Sequence, residues 1–179
     1  MSILGRFIEA VSLPESEDAR GDARAMAHEA TTPGDWLSLI LAHHVGIEQA
    51  FAEVSAADTN TSRTLAFRRL GVLLLGHAIA EEAIIYPEMA QRRDRSASSL
   101  AYDEQAMLKI ELAVLEKLNP MSPHFLNKLA HVRESVAHHI YAEEGKWFLD
   151  LKRKVSAGDQ MMMTERYAEE YSRYVGADG

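Results

Sequence analysis

Residues 77–82 read His-Ala-Ile-Ala-Glu-Glu and residues 139–144 read His-Ile-Tyr-Ala-Glu-Glu, and an aromatic follows at the same offset in each copy, Tyr86 and Phe148. On a helix, a His and a Glu four residues apart lie one turn apart on one face. Two such helices facing each other bring two imidazoles and two carboxylates to one point, which is how metal sites are built in bundle cores. One His-x-x-x-Glu step is weak evidence, because Glu is common on helices. Two matched copies are far less expected by chance.

Outward from the motif the periodicity is helical and the strand signal is weak. Trp36, Leu37, Ile40, Leu41, His44, Ile47, Phe51 and Val54 predict a helix over 34–56, started by Thr32-Pro33-Gly34-Asp35 with Pro33 in the first turn. Asp58 to Ser62 is a polar connector that also caps the next helix. That helix spans 62–92 through Leu70, Leu74, His77 and Glu81, with a kink or break expected near Pro87. A third helix covers 97–118 and a fourth 123–156, followed by an amphipathic helix over 160–174. Short connectors between long helices predict an all-α fold, an up-down-up-down four-helix bundle over residues 32–157. Residues 1–31 form a helical extension, and 158–179 a C-terminal helix and tail. Ile3, Leu4, Phe7, Ile8 and Val11 make one apolar stripe that either packs on the bundle or docks a protein partner or membrane surface.

Composition narrows the function classes. The 179 residues carry a formal net charge of −8, which argues against non-specific nucleic-acid binding. There is no cysteine, so a metal must be held by His, carboxylate and neutral oxygen. No apolar run approaches transmembrane length, and the first residues are too interrupted for a signal peptide, so a cytoplasmic location is the expectation.

The duplication runs beyond the two motifs. His44 stands before His77 as Gln105 stands before His139, and His44-x-x-Ile47 matches Gln105-x-x-Leu108. Each half then supplies one residue from its first helix and a His plus a Glu from its second: His44, His77 and Glu81 in one, Gln105, His139 and Glu143 in the other. Imidazole with carboxylate suits iron, manganese or zinc. Glu82, Glu144, His43 and His138 each adjoin a ligand position and fall one step off the metal face, in solvent or supporting the ligands. Glu48 and its counterpart Lys109 flank the site.

With these residues in place, the chain resembles the hemerythrin-like HHE cation-binding domain over about residues 34–152. That family's pattern is a His on the first helix, His-x-x-x-Glu on the second, a His on the third and His-x-x-x-Glu on the fourth. The matching positions are His44; His77 and Glu81; residue 105; His139 and Glu143. Ala80-Glu81-Glu82 through Tyr86-Pro87, and Ala142 to Gly145 with Phe148, are similar to the ends of the family's second and fourth helices. The resemblance implies a four-helix bundle with a non-haem di-iron centre that binds oxygen, handles peroxide, or senses redox state or iron. Two irons are the expected cofactor; one ion, zinc or manganese are fillings that the same donors allow.

The chain departs from the pattern at Gln105, where the family has His. Glu81 and Glu143 would bridge the metals, with His44 and His77 on one and His139 and Gln105 on the other. The Gln carbonyl either ligates weakly or hydrogen-bonds a metal-bound water. Tyr102, one turn before it, is a substitute tyrosinate or a core residue. His131, two turns before His139, is a minor pocket candidate. An asymmetric site fits sensing, storage or peroxide chemistry better than reversible oxygen carriage. The alternatives are a peroxide-consuming oxidoreductase and a regulatory interaction module with a structural metal.

Overall fold

The computed structural model describes residues 15–92 and 94–176, and among these every regular element is a helix. Helix α1 (Glu17–Glu29) is followed by α2 (Trp36–Ala56) and α3 (Asn60–Ala80). A π-helical turn, Glu81–Ile85, joins α3 to α4 (Tyr86–Gln91) without a break. Helix α5 (Arg95–Glu116) precedes α6 (Pro123–Ala142), which passes through a second π turn, Glu143–Trp147, into α7 (Phe148–Lys154). Helix α8 (Ala157–Val175) closes the described chain. The apolar stripe at residues 3–11 lies outside the described residues.

Local chemistry sets the helix ends. Asp35 caps α2 by accepting from the Ser38 amide at 2.8 Å. Pro33 and Gly34 therefore sit in a turn before the helix rather than in its first turn, with Gly34 at φ +80°, where an L-residue is strained. Thr59 and Ser62 form a reciprocal capping box at the start of α3. Ser122 caps α6 ahead of Pro123, and Ser156 caps α8. Buried Arg63 donates to the carbonyls of Val54 and Pro120, tying the end of α2 to the loop before α6.

The helix irregularity expected near Pro87 is the turn Glu81–Ile85, just before the proline. Proline is not its cause, because Leu149 stands at the equivalent place after the second π turn. In both turns an amide five residues on reaches back to the ligand-position glutamate: Tyr86 N–H to the Glu81 carbonyl, Phe148 N–H to the Glu143 carbonyl. The wider turn returns the fifth residue to the face of the first, which the α pitch would not do.

Two apolar clusters fill the interior. One holds Trp36, Leu37, Leu41, Tyr86, Phe148 and Tyr167; the other holds Ile47, Phe51, Leu74, Leu112, Phe125 and Val136. His44 lies in sequence between Leu41 and Ile47, and His77 between Leu74 and Ala80, so the polar centre falls where the clusters meet. Helix α8 contributes Met163, Tyr167 and Tyr171 to the first cluster and packs on α2 and α3. Gly76 permits that approach, since a Cβ there would lie 2.5 Å from the Val175 side chain. The continuous helix Asn60–Gln91 is long and apolar enough to cross a membrane, against the expectation that no run comes near that length. Half of its apolar window is buried inside the bundle, and interior packing accounts for its composition.

Candidate metal centre

The sequence pattern brings His44, His77, Glu81 and Glu143 together: one donor atom from each lies within 4.8 Å of the others, and all four residues are buried. His44 Nε2 is 3.3 Å from Glu143 Oε2, and His77 Nε2 is 3.2 Å from Glu81 Oε2. His139 approaches the same carboxylates from the other side, its Nε2 3.2 Å from Glu143 Oε1. Gln105 is also buried, but it turns its amide nitrogen inward, donating to Glu81 Oε2 at 2.8 Å and to Tyr86 Oη at 2.5 Å.

Each imidazole is held from behind through Nδ1, which leaves Nε2 facing the centre. His44 Nδ1 pairs with Glu144 Oε1 at 2.8 Å, and His139 Nδ1 with Glu104 Oε2 at 2.6 Å. His77 Nδ1 pairs with Tyr167 Oη at 3.1 Å, and the same hydroxyl lies 2.9 Å from His43 Nδ1. This is the arrangement that orients histidine ligands and fixes their tautomer. Glu144 is itself fully buried and gripped by Arg24 of α1 at 3.1 Å, while Arg24 also forms a two-point pair with Glu48 at 2.7 and 2.9 Å.

Electrostatics follow from burial. Burial works against a charged His44, but the nearby carboxylates of Glu143 and Glu144 outweigh it and raise its pKa to about 9. Burial and the charge of His44 push His77 well down. His43 falls to about 4 for the same two reasons, so its ring is neutral beside the Tyr167 hydroxyl. Glu81 is pushed well up by burial and by the nearby Glu143 charge. At Glu143 burial is overcome by His139 and His44, and its pKa falls. The two carboxylates thus split between holding and losing a proton; a cation between them would let both ionise. The donor set fits such a cation. His44 Nε2, Glu81 Oε1 and Glu143 Oε2 are buried with no hydrogen-bond partner, a costly state for polar atoms.

Several residues take places the sequence did not mark. Tyr86 is the largest surprise: its hydroxyl lies 3.0 Å from Glu81 Oε2, 3.0 Å from Glu143 Oε1 and 3.1 Å from His139 Nε2. Burial and the Glu143 and Glu81 charges keep that hydroxyl protonated. Tyr102 lies at the rim, donating to the Glu82 carbonyl at 2.7 Å with its ring edge-on to Tyr86. His131 is exposed beside Glu111, away from the centre, and His138 pairs with Glu15 at the surface. The adjacent acids also differ. Glu144 supports His44, whereas Glu82 is taken by Lys109 at 2.6 Å.

A buried centre of imidazoles and carboxylates inside an all-helical bundle defines a cation-binding helical protein. Residues 36–151 match the hemerythrin HHE cation binding domain, and the chain belongs to that family. A protein of Nostoc sp. (strain PCC 7120 / SAG 25.82 / UTEX 2576) described as a DNA nickase is 28% identical over 98 residues. The match covers 55% of this chain and 27% of that protein. No solved structure matches the chain.

Proposed function

We propose that this chain is an iron-binding member of its family whose asymmetric centre senses or handles oxygen, peroxide or iron. Its ligand residues are His44, His77, Glu81 and Glu143, with His139 and Gln105 completing the other side. We place them in an up-down-up-down arrangement of α2, α3–α4, α5 and α6–α7. The observation that carries the reading is the convergence of four buried donors, three of them with unpartnered atoms aimed inward. When bound, iron would supply redox change and coordination of a small ligand. The chain's own residues orient the imidazoles through Glu144, Tyr167 and Glu104, and the two apolar clusters keep bulk water out.

The net charge of −8 weighs against a DNA-binding surface, so the nickase activity of the Nostoc protein is not part of this reading. Iron content per chain of the purified protein, with His77→Ala alongside, tests the proposal. Retained iron that His77→Ala loses while staying helical supports it; a wild-type chain that retains no metal rejects it. Peroxide consumption above that of free iron, lost in Glu81→Ala, would move the function from sensing to enzymatic peroxide removal.

A further inference from the structure

The repeat predicts two equivalent metal positions, yet the two sides of the centre are not alike. The aromatic that follows the second π turn is Phe148, which has no hydroxyl and packs edge-on to Trp36, and His44 Nε2, Glu81 Oε1 and Glu143 Oε2 are left unpartnered, as is the side-chain oxygen of Gln105. After the first π turn the equivalent aromatic is Tyr86. Its hydroxyl gathers Glu81 Oε2, Glu143 Oε1, His139 Nε2 and the Gln105 amide at 2.5–3.1 Å. Those are the four residues the pattern assigns to a second ion. The distances are those of hydrogen bonds, well beyond the ~2.0–2.2 Å of a metal–nitrogen or metal–oxygen bond.

We propose that the Tyr86 hydroxyl occupies the place of the second metal, so that the protein binds one ion, between His44, His77, Glu81 and Glu143. This rests on the metal-binding reading above and deepens it. The wider π turn is what delivers the hydroxyl there: Tyr86 comes five residues after Glu81 and returns to the same face.

A second asymmetry agrees, and it is independent of Tyr86. His44 leans on Glu144, one residue beyond a ligand glutamate of the opposite half. The repeat equivalent of that contact is residue 105 leaning on Glu82. Here Gln105 faces inward instead, and Glu82 is neutralised by Lys109 at 2.6 and 2.7 Å. The support that a histidine ligand would need at position 105 has been given to a lysine. His139 keeps its own support, Glu104, and serves as a hydrogen-bonding partner to Glu143 and Tyr86.

The test counts zinc ions per full-length chain by native mass spectrometry in the presence of a competing chelator, for wild type, Tyr86→Phe and Gln105→His. One zinc in wild type, two in Tyr86→Phe and one in Gln105→His is the expected result. Two zincs in wild type overturn the proposal without reference to any variant. A single zinc in a folded Tyr86→Phe chain, checked by circular dichroism, also overturns it, as does a second zinc gained by Gln105→His alone, which would make the glutamine the excluding residue. No zinc in any chain rejects the metal-binding reading itself, a result distinct from all of these.

Discussion

Neighbouring residues with the same side chain do opposite things in this centre. Glu143 points inward among the imidazoles, and Glu144, one helical step away, reaches the back of His44 on another helix. His77, Glu81, His139 and Glu143 were legible because a repeat writes them twice, and His44 because it stands before the first copy as Gln105 stands before the second. Their supports were not, because each partner is remote in the chain: Glu144 is 100 residues from His44, Tyr167 is 90 from His77, and Arg24 is 120 from Glu144. Tyr86 was visible as an aromatic at a repeated offset, but five residues is off-face on an α-helix, and only the π turn brings it in. Replacing Glu144 by Ala frees the His44 ring while leaving every proposed ligand in place. Metal affinity should fall by about 10–100-fold with helix content unchanged. A competition titration against a chelator measures it, and an affinity equal to wild type would show that Glu144 does not orient His44.

At the scale of elements, helix lengths and order followed from periodicity, because long amphipathic segments with capped ends carry strong local signals. The π turns did not, since an extra residue in a helix leaves no mark on an apolar stripe that is already broken by polar ligands. Asp35 shows how one cap couples elements: it accepts from Ser38 and Thr32 amides and pairs with Lys152 of α7 at 2.6 Å. Burial opposes its ionisation, but Lys152 and the two amides prevail and lower its pKa. A carboxylate lowered in the folded state stabilises fully above its unfolded pKa and loses that contribution as pH falls through the folded value. The window is therefore below about pH 4. Asp35→Ala should cost about 1 kcal/mol at neutral pH, the usual worth of a cap, as read by urea unfolding. Asp35→Asn should cost less, because Asn caps as well, and the stability gap between wild type and Asp35→Asn should close as pH drops through that window. A gap constant down to pH 2 would mean that Lys152 adds nothing to the cap.

At the scale of the molecule, periodicity predicts α8 only as a terminal amphipathic helix, whereas the structure makes it part of the wall of the centre. Tyr167 is fully buried, packs with the first apolar cluster and holds His77 through its hydroxyl. The two roles separate by substitution. Tyr167→Phe keeps the ring and should chiefly weaken metal binding, whereas Tyr167→Ala should lower stability by about 3–5 kcal/mol, the cost of emptying a large aromatic site. If Tyr167→Phe leaves metal affinity unchanged, the α8 hydroxyl is not a support for His77.

Metal removal acts on the same whole. The proposed ligands come from α2, from α3 and its π turn, and from the π turn after α6, so an ion there joins three segments of the bundle. Each apolar cluster nonetheless packs large buried side chains without any help from the centre. The metal-free chain should therefore stay helical, unlike small domains whose fold depends on their metal. It should unfold at a lower midpoint, the difference approaching about 2.7 kcal/mol when free metal stands at a hundred times its dissociation constant. Thermal melts followed by circular dichroism, with and without a chelator, measure both quantities. Loss of the helical signal on chelation would show that the two clusters do not hold the bundle alone. An unchanged midpoint would mean that no bound ion ties the three segments together.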